Sequence, residues 1–415
     1  MGINTDLLHP KAGGSYADGA TLPAISQVNA FTYDSAERLE QVFENKAPGF
    51  AYTRIGNPTV NAFEARVNEL EGGIGATACA SGMSAVSLAL MNILQAGDEV
   101  IAASGLYGGS LDLFRDLEPF GIHVVYTTRI TPETLKRLIT EKTRAVFAEV
   151  IENPGLHILK IRETADFLHA RGIPLILDST TATPILVKPI SLGADIVVHS
   201  TSKYINGSSN SIGGIIVDGG KFRWDPKRYP GFAKWAKYGP YAFHAKLRAT
   251  LWQHLGGCMA PMNAYMSVVG LETLGLRMDR CCRNAQALAE ALAEETAVEV
   301  NYPTLAGEEQ RSLVKEQMHG YGGAILTIRT DTKENAYRLI HSLKYAAIAS
   351  NIGDVRTLVI HPASTLYVYS DEAAREAAGV YPGTIRVSVG IEDAEDLIED
   401  FRTAIRGLQG SGRDS

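Results

Sequence analysis

The chain has 415 residues, 39 of them Lys or Arg and 46 Asp or Glu, for a formal net charge of −7. That length suits a large domain plus a smaller one. The acidic balance argues against a nucleic-acid or anionic-membrane surface, so any basic site for a phosphate must be local.

Four cysteines occur, Cys79, Cys258, Cys281 and Cys282, and none forms a CxxC pair. They read as reduced thiols in a cytoplasmic protein. The first 19 residues have no apolar core and do not read as a signal peptide. No run of ~18 apolar residues is present, so no membrane span is expected.

Residues 1–60 are irregular and rich in Gly, Pro, Asn and Thr, ending in Ala51-Tyr52-Thr53-Arg54-Ile55-Gly56-Asn57-Pro58-Thr59. So polar a segment has little apolar surface for a core of its own. It reads as an arm that drapes over something else, such as a second subunit. From about residue 61 to 260, apolar strand-like runs alternate with helix-period segments. The strands are DEVIAAS, IHVVYTT, TRAVFAEVI, IPLILDST and ADIVVHST, with IGGIIVDGG as the last. The helices include Thr131–Thr140 and Ile161–Arg171. This alternation predicts an α/β fold with a doubly wound, mostly parallel sheet. Residues 262–300 read as one or two long helices, since NAQALAEALAEE is rich in helix formers. The rest of 261–415 mixes strands (GGAILTIRT, TLVIHPA, TIRVSVG) with helices (KENAYRLIHSLK, DAEDLIEDFRTAI), a smaller α+β domain. The tail from residue 407 is expected to fray.

In an open α/β sheet, ligands bind beyond the carboxyl ends of the strands, and several strand ends here stop in polar residues. Ala80-Ser81-Gly82-Met83-Ser84 opens a helical run and offers free backbone N–H groups to a phosphate. By itself it reads as well as an N-cap by Ser81. Asp178 closes the strand IPLIL, where a carboxylate can keep a pyridinium nitrogen protonated or simply cap a turn. Lys203, in Val198-His199-Ser200-Thr201-Ser202-Lys203-Tyr204, lies just past a buried strand. Burial there would favour a neutral amine able to form a Schiff base, although a lone lysine on a loop is commonly just solvated. Ser200 and Ser202 can donate to a phosphate. Tyr107, in Gly105-Leu106-Tyr107-Gly108-Gly109, can stack on a planar ring or pack at a helix start. Arg386 lies inside the apolar strand TIRVSV and calls for a carboxylate, structural or from a substrate. Together these residues supply a phosphate cup, a stacking ring, a ring-nitrogen carboxylate, a lysine and a carboxylate clamp. No metal is implied: HExxH and GxxxxGK[ST] motifs are absent, and no GxGxxG follows a strand.

The strings AYTRIGNPT, ASGMSA, LYGGS, ENP at 152–154, LDSTTATP, VHSTSKY, IGGIIVDGGKF, NIGD, TLVIHPAS and TIRVSVGIED run in this order over nearly the whole length. In this the chain resembles the cystathionine γ-synthase-like (Cys/Met metabolism) family of fold-type-I, pyridoxal 5'-phosphate (PLP) dependent enzymes. It is most similar to the O-acetylhomoserine sulfhydrylase branch.

The resemblance implies a role for each matching position. Lys203 would carry the Schiff base and shuttle protons, and Asp178 would hold the pyridine nitrogen. Tyr107 would stack on the ring and help activate the substrate. Ser81, Gly82, Met83, Ser200 and Ser202 would bind the phosphate, and Asn153 would sit near the ring's 3'-oxygen. Asn351 and Arg386 would hold the substrate carboxylate. Tyr52 and Arg54 would reach the phosphate site of a neighbouring subunit, with Tyr52 also near the substrate, in a homotetramer built as a dimer of dimers.

The implied activity is γ-replacement on an O-acylated homoserine, with sulfide or a thiol as nucleophile. The alternatives are γ-elimination from a methionine- or homoserine-type amino acid, or a non-catalytic PLP-binding scaffold. Four departures from the family pattern bear on substrate choice. Asn206-Gly207-Ser208-Ser209-Asn210 stands where Gly-His is usual, and Asp178-Ser179-Thr180 where Asp-Asn-Thr is usual. Ala24-Ile25-Ser26-Gln27 replaces Pro-Ile-Tyr-Gln, and the segment 221–240 is short. Gly109 stands where methionine γ-lyases carry a cysteine.

Overall fold

The computed structural model describes residues 2–11, 16 and 19–410, with side chains to 408. Twelve strands among these residues form two sheets. The first contains β1 (Gly75–Cys79), β2 (Glu99–Ala103), β3 (His123–Thr127), β4 (Thr143–Glu149), β5 (Leu175–Asp178), β6 (Ile196–Ser200) and β7 (Gly214–Asp218) in the order β1-β7-β6-β5-β4-β2-β3. Pairings from β3 through β6 are parallel, while β7 is antiparallel to both β6 and β1. The expected doubly wound, mostly parallel sheet is therefore present, with an antiparallel edge. Its central strands are buried along nearly their whole length, which is why they read as continuous apolar runs.

The second sheet contains β8 (Glu299–Asn301), β9 (Ile325–Arg329), β10 (Ala347–Ile348), β11 (Leu358–Ile360) and β12 (Thr384–Ser388), in the order β10-β11-β12-β9-β8. Helices Lys333–Ser342 and Ala394–Gly410 pack together, and the latter also lies along Leu274–Ala293. The expected helical stretch 262–300 resolves into two helices, Pro261–Glu272 and Leu274–Ala293. The first packs on Pro58–Glu71 in the large part of the molecule. Apolar residues up to Cys282 join the first core, while Ala285, Leu288, Ala289 and Leu292 join the second. One helix therefore enters both cores.

Strands β1, β8 and β10 lie outside the strand runs read from the sequence. β8 and β10 are short and largely exposed, so neither carries an apolar signal, while the buried β1 is made of the small residues GATAC. The C-terminal helix continues to Gly410, and residues 411–415 of the expected frayed tail lie outside the described residues. No helix among the described residues is long and apolar enough to cross a membrane, and none of their His, Cys, Asp and Glu side chains cluster as a metal site.

Candidate active site

A cavity of about 410 Å³ opens beyond the carboxyl ends of β4, β5 and β6, between the two sheets. Strand ends present side chains there because each apolar run stops at the rim. Ser81, Gly82, Met83, Tyr107, Asn153, Asp178, Ser200, Ser202, Lys203, Asn351 and Arg386 all line it. The structure thus gathers in one place residues more than 300 positions apart in sequence.

One wall is the N-terminus of the helix Gly82–Ile93. Ser81 caps it, its hydroxyl accepting from the Ser84 N–H at 3.0 Å. First-turn N–H groups have no partner inside a helix and carry its positive end. A Cβ on Gly82 would stand 2.6 Å from the Ser200 Cβ and 2.9 Å from its hydroxyl. Glycine is what lets the helix end approach the β6 hydroxyl this closely. Ser202 is tied to the start of β7: its hydroxyl accepts from the Gly213 N–H at 2.9 Å and lies 3.2 Å from the same residue's carbonyl. Small residues, exposed N–H groups and hydroxyls suit a phosphate at this end.

Asp178 ends β5, and one of its oxygens accepts from the Thr180 N–H at 2.8 Å. The Thr180 hydroxyl in turn accepts from the Ser200 N–H at 2.8 Å. Burial raises the Asp178 carboxyl above its usual range, while the Thr180 hydrogen bonds and the nearby His199 pull it down. A cationic ring nitrogen is the kind of partner such a carboxylate lacks in the protein alone.

Asp178 has a companion. Glu149 is its register partner at the end of β4 and lines the same cavity. Glu149 accepts from the Tyr107 N–H at 2.7 Å and the Asn153 N–H at 3.0 Å, so it fixes the two loops that carry those residues. Burial and the Asp178 charge together hold its carboxyl well above the ordinary value. Nothing in AVFAEVI marked Glu149 as facing a ligand. Its only sequence signal is a carboxylate at the end of a buried strand.

Lys203 follows β6 in a turn, and its amine donates to the Asn351 side-chain oxygen. Burial, with the Arg386 charge second, lowers its pKa to about 8. A substantial neutral fraction at ordinary pH makes this amine a competent nucleophile and base. Arg386 is almost fully buried, and its hydrogen-bond partners are amide oxygens rather than carboxylates. It donates to the Asn153 side-chain oxygen at 3.2 Å and to the Asn351 backbone carbonyl at 3.0 Å, while its Nε has no partner. A buried guanidinium in this state is built to receive an anion.

Tyr107 precedes the helix Gly108–Leu117 and is 40% exposed at the cavity mouth. The two expected residues that do not line the cavity are Tyr52 and Arg54. Arg54 reaches over the Tyr52 ring, 5.4 Å from its centroid, and donates to the Gln253 carbonyl at 2.8 Å. Thr180, Ser110 and Ser209 line the cavity without having been singled out individually for it.

The donors fit pyridoxal phosphate: a helix end and hydroxyls at one end of the cavity, a buried carboxylate on its floor, and a partly neutral lysine beside them. The model of the Cys/Met metabolism PLP-dependent enzyme family matches residues 4–406. An O-acetyl-L-homoserine sulfhydrylase of Leptospira meyeri is 37% identical, with 95% of each chain covered. An L-methionine gamma-lyase of Treponema denticola is 34% identical, over 94% of this chain and 93% of the relative. A crystal structure of a putative O-acetylhomoserine (thiol)-lyase from Campylobacter jejuni superposes with a TM-score of 0.92 at 30% identity, covering 98% of this chain and 100% of the other. It is described as carrying N'-pyridoxyl-lysine-5'-monophosphate.

Proposed function

This chain belongs to the Cys/Met metabolism family of PLP-dependent enzymes, and we propose that it performs γ-replacement on an O-acylated homoserine, exchanging the acyloxy group for sulfide or a thiol. The observation that carries this reading is the pairing of a low-pKa lysine with a buried, anion-free arginine in one cavity. An amino-acid substrate needs both, a base for its α-carbon and a cation for its carboxylate.

Ser81, Gly82, Met83, Ser200 and Ser202 would hold the cofactor phosphate. Asp178 would face the ring nitrogen, Asn153 the 3'-oxygen, Tyr107 the ring face, and Lys203 would be the covalent anchor. Bound there, the cofactor supplies a protonated ring that withdraws charge from the carbon bearing the substrate amine. Arg386 orients the substrate by its carboxylate. As a free amine, Lys203 would take the Cα proton, give it up to the electron-withdrawing system, and so be neutral again to take a Cβ proton. The acyloxy group would leave Cγ as a carboxylate with the C–O bonding electrons, hydrosulfide or a thiolate would form the new bond at Cγ, and Lys203 would return the protons to the substrate carbons. Tyr107, at the mouth, stands where it can assist at the leaving end.

The arm 1–60 is read as completing a partner's cavity, in a dimer of dimers in the cytoplasm. The position of Tyr52 and Arg54 outside their own cavity supports this. So do the exposed Leu8, Ile25, Val28 and Phe43 on that arm. γ-Elimination is the second reading, favoured by Ser209 at the cavity wall and by the likeness to a methionine gamma-lyase. The experiment is to supply O-acetylhomoserine with and without sulfide to the PLP-loaded protein. Homocysteine formed only with sulfide supports replacement, and 2-oxobutanoate and ammonia released without it support elimination.

A further inference from the structure

Ser209 is a non-glycine residue at φ +53°, a left-handed conformation that L side chains rarely adopt. Its side chain sits between two others. The Ser209 hydroxyl bonds to the Asp354 carboxylate, and it lies 2.8 Å from the Asn351 side-chain nitrogen. Asp354 is buried, and its other oxygen accepts from the Arg356 N–H at 2.9 Å. On the far side, the Asn351 side-chain oxygen receives the Lys203 amine.

The polarity of this chain is fixed by chemistry. A carboxylate only accepts, so the single Ser209 hydrogen must point to Asp354. The hydroxyl can then only accept from Asn351, which must present its NH₂ to Ser209. Asn351 is left with its oxygen toward Lys203. The flipped amide would set its oxygen against a hydroxyl with no hydrogen left to give, and its NH₂ against the lysine whenever that lysine is an ammonium.

We infer that Ser209 is a positioning residue which, through Asn351, presents a fixed hydrogen-bond acceptor to Lys203 and steadies the lysine when it carries the substrate's proton. This rests on the proton-transfer role proposed for Lys203. It also adds a role to Asn351, which the resemblance sets at the substrate carboxylate. One of its two N–H groups is committed to Ser209 and its oxygen to Lys203, which leaves a single N–H to join Arg386 at that anion.

The test uses Ser209→Gly, which removes the hydroxyl and relieves the left-handed backbone, with Ser209→Ala and Lys203→Ala beside it. In the wild-type holoenzyme, Lys203 exchanges the substrate Cα proton into heavy water. In Ser209→Gly that exchange slows about tenfold, the loss of one hydrogen bond to a charged group. The second readout is the pH midpoint for capture of added pyridoxal phosphate by the cofactor-free protein, which follows the neutral amine. It falls by about one unit in Ser209→Gly, because the Asn351 oxygen is no longer held toward the ammonium. Arg386, the other charged group set against Lys203, is unchanged in this variant. The Tm of Ser209→Gly equals or exceeds that of wild type, and Ser209→Ala shows the same two functional changes at a lower Tm. Wild-type exchange and midpoint in Ser209→Gly, or the same changes accompanied by a fall in its Tm, overturn the inference. If Lys203→Ala still exchanges the Cα proton, the proposed role of the lysine itself fails, a result distinguishable from failure of the Ser209 contact alone.

Discussion

Glu149 and Asp178 stand side by side at the carboxyl ends of β4 and β5, a buried and a partly buried carboxylate paired in register at one cavity. Two such groups do not both ionise at no cost. Asp178 has the Thr180 hydrogen bonds and a place for a cationic ring nitrogen, whereas Glu149 bonds only to backbone N–H groups. Burial and the Asp178 charge raise the Glu149 carboxyl well above its ordinary value, against the pull of those two N–H groups, and Asp178 is the member placed to meet the cofactor's charge. Replacing Asp178 with Asn should lower PLP affinity at least about tenfold and cut turnover about 10²-fold or more, as loss of a charged contact would. Equilibrium dialysis and steady-state rates check this, and unchanged values would remove Asp178 from its assigned role.

Lys203→Ala should abolish the visible absorbance of the lysine-bound cofactor. Turnover should fall by roughly 10³-fold or more, the scale of losing a positioned base. A variant that keeps both the absorbance and the activity would mean that another lysine is the anchor.

Arg386 stands buried without a carboxylate, so its charge is a cost to the empty protein and a gain only with substrate. Arg386→Leu should reduce kcat/KM by about 10²–10³-fold, mostly through KM, from loss of a charge-assisted pair. The same change should leave Tm level or raised. A large fall in Tm with little change in KM would make Arg386 a structural residue.

Glu152 supplies a pH test away from the chemistry. It is buried, and burial raises its carboxyl from 4.5 to about 7, with Arg129 only partly opposing. The native state thus holds this proton more tightly than the unfolded chain does. The resulting stability is complete below about pH 4.5 and is lost as pH rises through 7. Glu152→Gln stays neutral throughout. Denaturation midpoints should match wild type at pH 4.5 and exceed it at pH 8, by roughly 2–3 kcal/mol. An advantage independent of pH would refute this origin.

If Tyr52 and Arg54 complete a partner's site, two inactive variants can repair one another. An equal mixture of Lys203→Ala and Arg54→Ala, dissociated and reassembled, should recover about a quarter of wild-type activity, since half the dimers are mixed and one of their two sites is whole. No recovery would place Arg54 in its own subunit's chemistry or in neither.

Much of the site was legible because strand ends are. Asp178 and Lys203 each terminate or follow an apolar run, and Arg386 interrupts one, so a one-dimensional pattern already sets them at a rim. Glu149 escaped notice because its meaning lies in its register with Asp178, a relationship between strands 26 or more residues apart in sequence. Ser209 was visible as a departure from the family pattern, but its effect depends on a positive φ and on the direction of a hydroxyl hydrogen. The split of the cores within Leu274–Ala293 was hidden because one continuous helical period spans both.

Replacement of a γ-acyloxy group by sulfur is the reaction this cavity is built for. Its most direct test is the product balance of the PLP-loaded enzyme on O-acetylhomoserine at saturating sulfide, with acetate, homocysteine, 2-oxobutanoate and ammonia measured in one reaction. One homocysteine should form for each acetate with almost no 2-oxobutanoate, and all products should be lost in Lys203→Ala. Acetate released in step with 2-oxobutanoate and ammonia, with little homocysteine, would contradict it.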